Sequence, residues 1–211
     1  MVEGTRAAHE SLVARDPALP LATLLDDDAL AAWLAPGGGA VPGVRRRYLR
    51  YKPGSSCVVL AEVDRDGEPS WVTVTGVAAD ARAKTTKALT HARVEEVVAA
   101  EPDAGLVAVL PSADRHLPGL RRLLREPDLV LSRVLGRRVT VARITGLAYK
   151  PHRRWVGRID VDGEDSVLVR AYRAGRSGPH VEALTAVQAG DAPVPQLLGH
   201  RARRDLLVLP W

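Results

Sequence analysis

The side chains able to do chemistry in this chain are mostly cations. The run Arg45-Arg46-Arg47-Tyr48-Leu49-Arg50-Tyr51-Lys52 interleaves positive charge with aromatic rings, a pattern suited to phosphate contact plus base stacking. Alternation along a strand sends neighbours to opposite faces, however, so only half of that run can share one surface. A second basic turn, Lys150-Pro151-His152-Arg153-Arg154, reads on its own as a solvated hairpin tip. The histidines at 9, 91, 116, 152, 180 and 200 show no helical i, i+4 pair and no ligand spacing, which argues against a metal centre. Cys57 lies in an apolar run and is expected to be a buried, inert thiol. Asp26-Asp27-Asp28 suits the start of a helix, where carboxylates accept backbone N–H bonds. No Gly-x-Ser-x-Gly elbow or Ser-His-Asp spacing supports hydrolysis.

These residues must be positioned by a chain of 211 residues, 46% hydrophobic and 26% charged, which are globular values. Such a chain makes one full domain or two small ones. No apolar run approaches the length of a membrane span. Glu3, Arg6, Glu10, Arg15 and Asp16 leave no apolar core for a signal peptide, and a single cysteine excludes an internal disulfide framework. A cytoplasmic protein is expected. The net charge is +5, but Lys52, Lys84, Lys87 and Lys150 are the only lysines and Asn and Phe are absent. That bias is what GC-rich coding produces, so the basic balance carries little weight as a nucleic-acid signal.

The patterning predicts a helix over residues 24–34, with Leu30, Trp33 and Leu34 on one face, ended by Pro36-Gly37-Gly38-Gly39 and a linker closing at Pro42-Gly43. Strands follow at 45–51, 57–63 and 71–75, joined by the turn Lys52-Pro53-Gly54-Ser55 and the hairpin Asp66-Gly67-Glu68. A helix is expected over 78–100, a strand over 105–110, and helices over 118–125 and 129–135. Then the pattern repeats. Leu49-Arg50-Tyr51-Lys52-Pro53 returns as Leu147-Ala148-Tyr149-Lys150-Pro151. Each copy continues with an apolar strand, Asp-Gly-Glu (66–68 and 162–164) and another apolar strand. A helix follows, at 179–189 in the second copy, and each copy closes on an apolar strand, Leu106-Val107-Ala108-Val109-Leu110 or Leu206-Leu207-Val208-Leu209-Pro210. Each copy is thus expected to be an antiparallel sheet with one helix across it, and the two copies, or their outer partners, are expected to pack together.

The order strand, basic turn, strand, hairpin, strand, helix and two strands resembles the small lobe of a kinase-like fold. Leu147 to Arg158, Val167-Leu168-Val169-Arg170-Ala171-Tyr172-Arg173, Pro193-Val194-Pro195-Gln196-Leu197-Leu198-Gly199-His200 and Leu206 to Trp211 together resemble the aminoglycoside phosphotransferase family. More narrowly, they are similar to members that carry an extra small-lobe-like segment ahead of the true one. The resemblance spans residues 45–211 and is strongest from 139 onward. It implies that Lys150, Arg153 and Arg154 lie above the phosphates of ATP, supplying charge where protein kinases use glycines. It puts Arg170 at the strand lysine that contacts the α- and β-phosphates, Glu182 as its ion-pair partner, and Leu209-Pro210-Trp211 at the entry to the adenine-contacting hinge. In the first copy Val74 aligns with Arg170, which leaves that copy without the cation, so it is expected to be a structural duplicate.

The family's catalytic loop, His-x-Asp-x-x-x-x-Asn, and the second aspartate for Mg²⁺ are not in these 211 residues. The expected fold class is α+β: two antiparallel-sheet-plus-helix units, the second like a protein-kinase-like N-terminal lobe. The expected divisions are 1–43 (helical segment and linker), 44–136 (degenerate copy) and 137–211 (small lobe ending at the hinge). The apolar end Leu206 to Trp211 is read as the middle of a core strand, hence the front half of a longer protein or a gene interrupted at this point. By resemblance that protein moves a phosphoryl group from ATP, with Mg²⁺, to a hydroxyl of a small molecule, and this part is inactive alone. The alternatives are a non-catalytic interaction module or a basic nucleic-acid-binding protein. Acidic residues spread through the chain argue against nucleic acid, and no membrane partner is expected.

Overall fold

Among the described residues the first half of the chain folds as four helices and a five-stranded sheet, and the second half repeats the sheet order. The computed structural model describes residues 3–35, 43–65, 67–189 and 194–211. It divides into two compact units, Met1–Ala113 and Asp114–Trp211. The first holds α1 (Glu3–Arg15), α2 (Leu21–Leu25), α3 (Asp27–Leu34), β1 (Arg45–Lys52), β2 (Ser56–Arg65), β3 (Glu68–Val77), α4 (Ala83–His91), β4 (Val97–Glu101) and β5 (Leu106–Val109). The second holds α5 (Pro118–Arg125), α6 (Pro127–Leu135), β6 (Val141–Lys150), β7 (Arg154–Val161), β8 (Val167–Tyr172), α7 (Gly178–Gln188), β9 (Gly199–Arg201) and β10 (Leu206–Pro210). The sheet orders are β1-β2-β3-β5-β4 and β6-β7-β8-β10-β9, with antiparallel pairing throughout. The fold is therefore α+β, and the sequence repeat is a repeat of topology. The glycine run 37–39 with Pro36 and Pro42, Asp66 of the first hairpin, and Pro193 lie outside the described residues.

Strand alternation gives each sheet one face for a helical cover. In the first unit Cys57, Val59, Ala61, Val63, Val72 and Val74 face the buried leucines of α2 and α3. Gly76 lets that cover close: a Cβ there would lie 2.6 Å from Leu24 and 2.8 Å from Pro20. The triple aspartate starts α3 as its composition suggests, with the Asp26 carboxylate accepting the Ala29 N–H at 2.8 Å. The same residue breaks the element expected over 24–34 into α2 and α3.

The second sheet exchanges bulk within the same plan. Cys57 and Val59 of β2 become Trp155 and Gly157 of β7, and a Cβ on Gly157 would come within 2.0 Å of the indole. Volume is conserved by pairing a large side chain with none. Leu120 and Leu123 of α5 and Val130 and Leu131 of α6 are buried against this sheet. Gly119 brings α5 so near that an added Cβ would sit 2.1 Å from the Arg204 carbonyl.

Two expectations are corrected. The helix expected over 78–100 ends at His91, and 97–101 is the edge strand β4, where Val97, Ala99 and Ala100 pair with β5. β-branched Val97 and Val98 favour extended backbone once a strand edge is open to pair with. The helix between the third and fourth strands is not the cover of either sheet, since α4 buries only Thr85 and α7 buries none of its residues. That cover comes from the helix pair upstream, α2–α3 and α5–α6, which lies in the same compact unit as the sheet it covers.

Candidate functional site

Both copies build the same turn. Ser55 N–H donates to the Lys52 carbonyl (3.1 Å) and Arg153 N–H to the Lys150 carbonyl (3.0 Å), with proline second in each turn. The third residue is left-handed in both, Gly54 at φ +62° and His152 at φ +64°. Glycine adopts this freely, whereas a histidine must be held there. The holding group is Asp114, whose Oδ2 accepts the His152 N–H (2.8 Å) and the Tyr149 hydroxyl (2.8 Å). Its Oδ1 accepts the His116 N–H at 2.9 Å, and the rings of His116 and His152 lie 4.7 Å apart. In the first copy Asp16 Oδ2 accepts the Gly54 N–H (2.6 Å) and the Tyr51 hydroxyl (2.9 Å). The separations are 35 and 38 residues in both copies. No role for either aspartate follows from local pattern. Their signal is Asp16-Pro17-Ala18-Leu19-Pro20 recurring as Asp114-Arg115-His116-Leu117-Pro118 at a constant distance ahead of Tyr-Lys-Pro.

Register decides which cations share a surface. Val156, Arg170 and Leu207 are directly paired across β7, β8 and β10, as are Lys150, Arg154 and Tyr172 across β6, β7 and β8. Leu168 pairs with Leu209. Paired residues and their i±2 neighbours lie on one face. Lys150, Arg154, Arg170 and Leu209 therefore all lie on the face turned away from Trp155 and the α5–α6 cover. Lys150, Arg153 and Arg154 are exposed at the turn, and their side chains make no ion pair among the described residues. Arg170 is half-buried, and its Nε is buried with no hydrogen-bond partner. Leu209 is 1% exposed.

Glu182 is not brought to this group. It stands exposed on α7 and forms no ion pair with Arg170, contrary to the expectation from resemblance. α7 meets the sheet where His180 stacks on Tyr172, with centroids 4.4 Å apart. Arg158, not singled out from the sequence, occupies the same face. It bonds to Asp160 (2.6 Å) and Ser166 (3.1 Å), and its guanidinium lies 5.2 Å from the Trp211 ring centroid. Hydrogen bonds from Ser166 and Arg158 hold the Asp160 carboxyl below the usual range.

The first sheet carries Val58, Thr75 and Val107 in the row that corresponds to Val156, Arg170 and Leu207. The counterpart of Arg170 is thus Thr75 and not Val74, because one residue of slip turns a side chain to the other face. Val74 is fully buried under α2 and α3. The first copy still has no cation at this place.

Several other charges are engaged within their own unit. Arg46 donates to Asp27 and to the Leu25 carbonyl, both at 2.5 Å. Arg47 forks onto Glu62 (3.0 and 2.8 Å) and thereby holds that carboxyl below its ordinary range. These two arginines of the basic run are not aligned for an outside partner. Asp205, left-handed at φ +51°, accepts the N–H groups of Ser177 (2.9 Å), Gly175 (2.9 Å) and Arg176 (2.8 Å). Burial pushes its carboxyl up, but these bonds outweigh it and hold the group below the usual range. Cys57 is fully buried, which pushes its thiol up to about 11, so it is protonated and inert at neutral pH.

Among the described residues no three of His, Cys, Asp and Glu come together as a metal ligand set, and no helix is long and apolar enough to cross a membrane. Comparison of the chain with protein-family models, curated proteins and solved structures gives no match.

Proposed function

We propose that the second unit is the ATP-binding small lobe of a phosphotransferase resembling the aminoglycoside phosphotransferase family, and that the first is a duplicate without nucleotide. One observation carries this reading. Arg170 lies between Val156 and Leu207 on the face away from the helical cover, its buried Nε without a partner, and Lys150 and Arg154 end the same face. A buried donor left unsatisfied is costly, and it is satisfied when an acceptor arrives. Phosphate oxygens fit this demand, since a guanidinium can bond them in pairs. Val156 and Leu168, both half-buried, supply apolar surface for a purine ring.

ATP, when bound, supplies the phosphoryl group and its leaving group. Arg170 would orient the α- and β-phosphates, and Lys150, Arg153 and Arg154 would offset charge at the turn. The described residues bring no ligand set together for Mg²⁺, and the chain contains no His-x-Asp loop. The role of these residues is to bind and orient nucleotide, and the acceptor is a small-molecule hydroxyl.

Calorimetric titration with ATP tests the reading. Saturable binding is expected, weakened about 10- to 100-fold by Arg170→Ala, as the loss of a charge-assisted bond of roughly 1.5–3 kcal/mol requires. Thr75→Ala should leave it unchanged. No binding, or equal loss in both variants, contradicts the proposal.

A further inference from the structure

On the helix-covered side of the second sheet, four arginines line one cavity of about 140 Å³: Arg122 of α5, Arg133 of α6, Arg201 of β9 and Arg204 of the turn before β10. Val130 completes the lining. Arg122 pairs with Glu126 at 2.5 Å. Arg133, Arg201 and Arg204 have no ion-pair partner among the described residues. The duplication supplies the comparison that makes this unusual. Asp26 and Glu126 immediately precede α3 and α6, and the buried pairs Leu30-Ala31 and Val130-Leu131 fall at the same distance beyond them, so Trp33 and Arg133 are equivalent. β4 and β9 both end in a short 3₁₀ turn and a left-handed residue, so Glu101 and Arg201 are equivalent. In the first unit Trp33 Nε1–H donates to Glu101 at 3.2 Å, which completes that corner internally. In the second unit both partners are arginines, and like charges oppose each other where the first copy has a hydrogen bond.

We infer that this cavity binds a single phosphate group, free or as a phosphomonoester. Four guanidinium groups against one carboxylate leave an excess of three positive charges around the space, and a dianion removes their repulsion while accepting forked bonds. Four guanidinium groups and one apolar side chain around about 140 Å³ make a setting for one tetrahedral oxyanion. The site is built from α5, α6 and the β9–β10 corner, on the opposite side of the sheet from Arg170. It does not depend on the reading of that other face.

Calorimetric titration of the full chain with inorganic phosphate at low ionic strength tests this, alongside glycerol 2-phosphate and chloride at matched ionic strength. Saturable one-to-one binding of phosphate or the ester is expected, with no equivalent response to chloride. A tighter ester identifies a phosphorylated metabolite as the source, and equal binding identifies free phosphate. The double variant Arg133→Trp, Arg201→Glu recreates the first unit's pair and should weaken binding more than tenfold, with Arg133→Ala, Arg201→Ala as the check should that variant not fold. Thr75→Ala, in the first unit, should bind phosphate as the parent does. No saturation, an equal chloride response, undiminished binding in a folded double variant, or equal loss in Thr75→Ala would each overturn the inference.

Discussion

Single residues decide how the two copies differ. Asp205 takes the left-handed position that Gly105 holds in the first copy, and its carboxylate organises the loop ahead of α7 through three backbone N–H groups. Asp205→Asn keeps the shape and loses the charge, so it should lower stability by about 1–3 kcal/mol at pH 7, measured by urea unfolding. The pH dependence has a definite sign. A carboxyl held below its unfolded value adds stability above the unfolded pKa of about 3.9 and loses it as pH falls through the folded value. Stability of the parent chain should therefore fall more steeply below about pH 4 than that of Asp205→Asn, and the two should converge in stronger acid. Parallel acid profiles would place the stabilisation elsewhere.

At the scale of elements, the basic turn and its aspartate form the unit that repeats. Asp114→Ala removes the acceptor for three donors in the second copy, and Asp16→Ala for two in the first. Both should cost stability, on the order of 1–3 kcal/mol. Only Asp114→Ala should weaken ATP binding, because only that turn presents the cations on the face of Arg170. Equal effects on ATP would show that the clamp matters to folding alone. The strands over 45–51, 57–63 and 71–75 and the helix over 118–125 were legible because alternation, turn chemistry and proline placement all act locally. α1, the edge strand β4 and the aspartate clamp were not. A carboxylate that bonds residues 35 and 38 positions away leaves no local pattern, and Val97-Val98 reads as helix or strand until an edge is available to pair with. Arg170 and Lys150 could be named from the sequence, but their common face comes from strand register. The same register moved the first copy's counterpart from Val74 to Thr75.

For the whole molecule, the duplication is a control built into one chain. Both units share sheet order, turn, clamp and helical cover, yet the first carries Ser55, Ser56 and Thr75 where the second carries Arg153, Arg154 and Arg170. Charge has been concentrated in one copy of an otherwise equivalent frame. Hydrogen exchange of the full chain with and without ATP tests the central claim most directly. Added protection is expected at residues 150–156, 168–171 and 207–210, with 52–58, 73–76 and 107–109 unchanged. Protection shared evenly by the two copies, confined to the first, or absent at saturating ATP would contradict it.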